Sequence, residues 1–239
     1  MKKALSVLII LFTGVLITGI SSCKLVCVHG SGNEISETRN LGDFSKISIS
    51  GGYKVTLKQD SSLNIKITAD DNLLKYIKTD IRGNRLSIYN KKNFCNSGEI
   101  TVTIGVRNLE EVKASGGIEV ASDGKINTQD IAFKLSGATK INMDLNAANV
   151  TTSSSGVTEI NLKGQATSHT IDLSGSGNIN ALDFVVGNCD IQTSGLGESR
   201  VNVLHALNIH SSGASSVKYR GNPIVTNDKS GASSVEKIN

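Results

Sequence analysis

A Ser-Gly pair recurs along this chain at Ser115-Gly116, Ser136-Gly137, Ser155-Gly156, Ser174-Gly175, Ser194-Gly195, Ser212-Gly213 and Ser230-Gly231, at intervals of 21, 19, 19, 20, 18 and 18 residues. A unit that short cannot hold a βαβ crossover of about thirty residues, nor a propeller blade of about forty. Five residues before each serine from Ser136 onward stand Ile131, Val150, His169, Cys189, Leu207 and Val225. Three before stand Val112, Phe133, Thr152, Ile171, Ile191, Ile209 and Asn227, and five after stand Val120, Ile141, Ile160, Ile179, Val217 and Val235, with Ser199 the exception after Ser194. These positions alternate with polar ones, as strands with one buried face do. Each unit therefore reads as strand, Ser-Gly corner, strand and return. Stacking such units in parallel predicts an all-β fold, a β-solenoid with about 18–21 residues per coil.

Glycine, serine and asparagine fill about a third of the 239 residues, which would suit a disordered linker. Yet 38% of the chain is hydrophobic and 19% charged, so a core can form. The glycines fall at the periodic corners, where a missing Cβ lets the chain turn, and the serine hydroxyls can bond to neighbouring corners. A single proline, Pro223, fits a ladder paired on both sides. Ser50-Gly51 carries the same neighbours, but the next corner is 65 residues on, a gap worth about three coils. Within it Leu63-Asn64-Ile65-Lys66-Ile67, Leu86-Ser87-Ile88 and the segment 100–106 alternate as strands. Asp70-Asp71-Asn72 predicts the cap of a helical turn over 73–77, and Gly83-Asn84 a tight turn.

Lys2 and Lys3 precede an uncharged stretch from Ala4 to Ile20, in the order of an export signal. Its 17 residues also reach the lower limit for spanning a bilayer. Ile20-Ser21-Ser22-Cys23 resembles the bacterial lipobox, which makes Cys23 the acylated residue and the mature N-terminus. The expected division is a signal peptide over 1–22, a tether over 23–34 and a β domain over 35–239. The last splits into an irregular section, 35–110, and the Ser-Gly repeats, 111–239. Loss of residues 1–22 removes two lysines and no acid, lowering the formal charge from +4 to about +2. No basic stripe with interleaved aromatics argues for nucleic acid.

Of the remaining cysteines, Cys27 and Cys95 can bridge in an oxidising compartment or stand as isolated thiols, and Cys189 completes an odd set without metal-ligand spacing. His169 and Cys189 share a core column, so filling space outweighs a metal or nucleophile role. His205 and His210 have no carboxylate at ligand spacing. Asp144, Asp172, Asp183 and Asp190 sit at +8, −2, +9 and −4 from their serines, which makes no acidic column and no catalytic groove. Outward Asn142, Asn161 and Asn180 form a column that can ladder its amides or meet a sugar. No catalytic, cofactor-binding or metal-binding residue is expected.

The lipobox, the segment Phe44-Ser45-Lys46-Ile47-Ser48-Ile49-Ser50-Gly51-Gly52-Tyr53-Lys54-Val55-Thr56-Leu57, Asn72-Leu73-Leu74, and Ser-Gly-Ala-Ser-Ser-Val at both 212–217 and 230–235 together resemble the auto-transporter adhesin head GIN domain family of Bacteroidetes. The resemblance spans roughly 40–238 and implies a right-handed single-stranded parallel β-helix. It brings no catalytic residues. The expectation is a non-enzymatic, lipid-anchored envelope protein, at the periplasmic face or the cell surface of the outer membrane, presenting a rigid surface to an envelope or host protein or a glycan. A polysaccharide-binding or polysaccharide-degrading β-helix is the alternative. Homo-oligomers through an open ladder end are compatible with both.

Overall fold

The computed structural model describes residues 27–239, so the export segment and Cys23 lie outside the described residues. The strands are β1 (Cys27–His29), β2 (Glu34–Asn40), β3 (Lys46–Gln59) and β4 (Asn64–Asp70), then the helical turn α1 (Asp71–Leu74). There follow β5 (Ile77–Arg82), β6 (Arg85–Asn90), β7 (Asn93–Cys95), β8 (Thr101–Val106) and the long run β9 (Glu111–Leu173). The chain ends in β10 (Ser176–Thr193), β11 (Leu196–Ser211), β12 (Ala214–Arg220), β13 (Ile224–Lys229) and β14 (Ser234–Lys237). This is an all-β protein built on one large, mostly parallel sheet.

The columns expected from the repeat are hydrogen-bonded registers. Ile160 pairs with Ile179, Ile179 with Ser199, Ser199 with Val217 and Val217 with Val235. His169 likewise pairs with Cys189, Cys189 with Leu207 and Leu207 with Val225. Parallel in-register pairing puts like residues one above another, so a buried position in one unit is buried in the next. Phe133 and Phe184 are the largest side chains sealed in this interior. Each buried Ile, Val or Leu contributes about 1.5–3 kcal/mol through the apolar surface removed from water.

Beneath the last corners the interior carries a cluster of hydroxyls. Thr193 Oγ1 donates to Ser211 Oγ at 3.1 Å, and Ser211 and Ser215 share a bond of 2.7 Å, all three buried. Buried hydroxyls are tolerated there because they satisfy one another.

The first corner behaves differently from expectation. Ser50-Gly51 pairs directly with Ser115-Gly116, because β3 lies alongside β9 from Lys46 to Lys58. The 65 residues between them are therefore one rung of the ladder and not three coils. The intervening strands pass to the other side of β3, where β6 pairs with its first half and β8 with its second. Antiparallel pairs of β2 with β4, β4 with β8 and β5 with β6 then close that end. Gly83-Asn84 makes the β5–β6 turn, with Gly83 at φ +60°.

The helical turn also departs from its expectation, being confined to Asp71–Leu74, with Asp70 at the N-cap making no side-chain cap bond. The polar cluster holds the incoming chain instead. Asp71 accepts Ser31 Oγ at 2.6 Å and Asn33 Nδ2 at 3.0 Å, while Asn72 Nδ2 donates to His29 O at 2.8 Å. Residues that would cap a free helix are recruited where a neighbouring strand offers better-placed donors. Cys27 and Cys95 form a disulfide with Cα atoms 5.7 Å apart, which resolves the open alternative, and β1 pairs in parallel with β7.

The corner glycines Gly51, Gly116, Gly137 and Gly231 have the left-handed backbone expected of a turn, but the other four serve a different purpose. Gly137 has φ +86°, but Gly156, Gly175, Gly195 and Gly213 have no left-handed backbone. A Cβ on Gly175 would lie 2.7 Å from Gly156 N and 3.1 Å from Gly156 C, so close stacking of corner on corner excludes a side chain.

Candidate functional site

Two neighbouring columns of the parallel sheet carry the most ordered outward surface. One runs Glu159, Asn178, Glu198, Ser216 and the other Asn161, Asn180, Arg200, Lys218, each in hydrogen-bonded register. Successive strands stand about 4.8 Å apart, within reach of one amide to the next. Asn161 Nδ2 donates to Asn142 Oδ1 at 2.8 Å and Asn180 Nδ2 to Asn161 Oδ1 at 2.9 Å. Asn142 Nδ2 donates in turn to Glu119 Oε1 at 3.4 Å. The asparagine column is thus an amide ladder, as its spacing predicts.

Charges pin the ladder on both sides. Glu159 takes Asn161 Nδ2 at 3.0 Å and pairs with Lys140 at 3.1 Å, and these two contacts, the asparagine's first, hold its carboxyl below the usual range. Glu198 receives Lys218 Nζ at 2.8 Å and also the Arg200 guanidinium, with the same effect. Nearer β3, Glu111 is buried, which alone would raise its carboxyl. Hydrogen bonds from Arg85 and from Lys134, the latter at 2.8 Å, outweigh burial and lower it.

Beside the ladder runs an open groove of about 690 Å³, lined by Asn161, Asn180, Arg200, Asp144, Lys163 and Asp183 among others. Asp183 is in register with Lys163, and Lys163 pairs with Asp144 at 3.6 Å. The two acids thus share a face with a lysine between them, although their offsets from the corner serine differ. The cause is a register shift between Asn180 and Asp183 that inserts one extra residue. Asp144 Oδ1 is buried there without a hydrogen-bond partner. Asp172 and Asp190 belong elsewhere: Asp172 pairs with Gln192, and Asp190 accepts Asn208 Nδ2 at 2.6 Å.

The histidines and the free cysteine form no reactive centre. His169 is buried, bonded through Nε2 to Thr152 Oγ1 at 3.0 Å, and set edge-on to Phe184 with centroids 5.9 Å apart. Burial pushes its pKa down to about 3, and burial together with Asp190 pushes the Cys189 thiol up to about 12. Both are core residues, as their column predicts. His210 is exposed, 3.8 Å from Asp228, and among the described residues no group of three or more His, Cys, Asp or Glu could hold a metal ion.

His169 makes stability pH-dependent with a definite sign. The unfolded chain binds the proton near pH 6.5 and the folded one near 3, so the stabilisation is complete above 6.5 and is lost on acidification at about 1.4 kcal/mol per pH unit. Thermal melts between pH 7 and 4 should show this slope, and His169→Leu should flatten it. An equal slope in the variant would assign the acid sensitivity to other groups.

The family described as "Putative auto-transporter adhesin, head GIN domain" matches residues 43–223. Among solved structures, the chain is similar to a "putative adhesin" from Bacteroides fragilis NCTC 9343, with 21% identity and a TM-score of 0.84 over 88% of this chain and 100% of that one. It is also similar to a "putative adhesin" from Parabacteroides merdae ATCC 43184, with 21% identity, a TM-score of 0.69, and 89% and 99% of the two chains covered. A "Putative lipid binding protein" from Parabacteroides distasonis ATCC 8503 shares 18% identity at a TM-score of 0.70, over 90% of this chain and 100% of that one. At these identities the likeness concerns the fold. No curated protein matches the chain.

Proposed function

Since the chain belongs to the auto-transporter adhesin, head GIN domain family, we propose that it is a non-enzymatic envelope protein, lipid-anchored at Cys23 and facing either the periplasm or the exterior from the outer membrane. Its ladder is read as a right-handed single-stranded parallel β-helix that presents a rigid surface for adhesion or protein contact. The observation that carries this reading is the amide ladder from Glu119 through Asn142 and Asn161 to Asn180, braced by Glu159, with the column continued by Arg200 and Lys218 paired to Glu198. A surface whose polar groups are already bonded to one another is held rigid before any partner arrives, so little ordering entropy is lost on binding. The sealed state of His169 and Cys189 supports a binding role over catalysis. Homo-oligomerisation through β13 and β14, whose outer edges have no partner among the described strands, belongs to the same reading.

A specific observation favours a polysaccharide-binding or polysaccharide-degrading protein as the second reading. Asp144 Oδ1, buried without a donor beside Lys163 and Asp183, could accept a sugar hydroxyl entering the groove. Glycan arrays and envelope or host protein pull-downs on the full chain separate the two. Capture of a protein that is lost in Asn161→Ala/Asn180→Ala is expected. Glycan cleavage that disappears in Asp144→Asn/Asp183→Asn would overturn the adhesive reading. The anchor is tested by labelled palmitate, which should be incorporated in the wild type and absent from Cys23→Ala. A persisting label would place the lipid elsewhere.

A further inference from the structure

Several lysines that make no ion pair among the described residues lie close together where the chain enters the fold. Cys27 is bonded to Cys95, and β1 starts in register with Asn93, the residue after Lys92. Lys92 Nζ lies 4.7 Å from the centroid of the Tyr76 ring and Lys75 Nζ 5.2 Å from it. Lys91 N donates to Tyr76 O at 2.9 Å, and Lys78 Nζ to Lys75 O at 2.8 Å. Two lysines thus set their ammonium groups against one half-buried tyrosine, with Lys78 and Lys91 on the adjoining backbone, near the disulfide that fixes the incoming strand. None of the four makes an ion pair among the described residues, and residues 1–26 contain no acid that could supply one. Asp71, the acid close enough to feel Lys75, is engaged by Ser31 and Asn33, and Glu37, which feels Lys78, is paired with Arg39 at 2.8 Å. On the long face, by contrast, Lys140, Arg200 and Lys218 are all paired with glutamates.

We propose that this Tyr76-centred lysine patch is a contact surface for the anionic phospholipid headgroups of the membrane that holds the chain, an assignment that rests on acylation of Cys23. Three residues, Lys24 to Val26, separate Cys23 from the disulfide at Cys27, and the four chain steps reach at most roughly 14 Å. The screening length in physiological salt is about 8 Å, so a tether drawn in to little more than half its reach brings that end of the fold into the field of the surface charge. Each lysine near an anionic surface strengthens contact by about fivefold. Tyr76 adds an amphipathic ring of the kind that settles at headgroup level. The disulfide prevents β1 from peeling away, so the patch and the anchor act on one rigid end.

The full lipidated chain, reconstituted into phosphatidylcholine vesicles with or without phosphatidylglycerol, tests this by amine acetylation read by mass spectrometry. Lys75, Lys91 and Lys92 should react about fivefold more slowly when phosphatidylglycerol is present, with Lys125 and Lys163 unchanged, and high salt should restore their reactivity. In Lys91→Gln/Lys92→Gln, whose substitutions lie on an exposed connection, Lys75 should lose its protection. Equal reactivity in the two vesicle types overturns the proposal. Protection by soluble heparin without protection by vesicles also overturns it and assigns the patch to a free polyanion. Flotation on neutral vesicles reports the anchor separately: a chain that floats there but shows no lipid-dependent protection keeps its anchor and loses the patch.

Discussion

Gly175→Ala should melt roughly 10 °C or more below the wild type, while Gly117→Ala should be almost indistinguishable from it. At Gly175 a Cβ would meet the backbone of Gly156, with N at 2.7 Å, C at 3.1 Å and the carbonyl oxygen nearer still. Neither partner is a flexible side chain that can step aside. Relief requires the two corners to separate, which stretches the ladder bonds on both flanks, such as Leu196 N to Gly175 O at 3.0 Å and Ser174 N to Ser154 O at 2.9 Å. Overpacking usually costs about 1–3 kcal/mol, and a clash with backbone that cannot step aside stands at or above the top of that range. In a chain of this size each kcal/mol lowers the melting temperature by about 2–4 °C. Gly117 is the control because nothing lies within 4 Å of its missing Cβ and its backbone is not left-handed. Equal melting temperatures for the two variants would show that the corners are not stacked backbone on backbone.

Reducing the Cys27–Cys95 bond, or replacing both residues by serine, should cost about 4 kcal/mol. The bond closes a loop of 68 residues, and on the chain-entropy view a loop of that length gives the unfolded state much of its freedom back when opened. The folded end is otherwise held by polar contacts: Asn72 with His29, Asp71 with Ser31 and Asn33, and Gly30 N to Cys95 O at 3.4 Å. These cannot replace a covalent link. Calorimetry with and without reductant is the measurement, and Cys189 does not confuse it because that thiol is buried and unpaired. A melting temperature unchanged by reductant would mean that β1 contributes nothing to the cooperative unit. Hydrogen exchange over 27–34 should accelerate on reduction before the ladder itself loosens.

These two predictions draw on different amounts of information in the chain. The repeat exposes its columns because a strand's side chains alternate with period two and stacked units must bury the same positions. Ile160, Ile179, Val217 and Val235 could therefore be aligned before any coordinates. His169 and Cys189 could be placed in the core for the same reason, and the Asn142–Asn161–Asn180 ladder was legible from spacing alone. The hydroxyl cluster of Thr193, Ser211 and Ser215 left only the weak signal of small polar residues at buried offsets.

Other features depend on where the chain travels. The segment between Ser50 and Ser115 contains strands, but nothing local says that they leave the ladder and close its end, so its length suggested three coils where there is one rung. Asp144, Lys163 and Asp183 share a column only because a bulge after Asn180 shifts the count by one, which a fixed offset from the serine cannot register. Thiol spacing left the Cys27–Cys95 pairing open, since a distance along the chain does not fix a distance in space. Local periodicity thus determined which residues face inward and which amides meet. The tertiary structure alone decided which corner rests on which, why those corners must be glycine, and which lysines are left without a partner beside the tether, because each of these depends on contacts between residues far apart in the sequence.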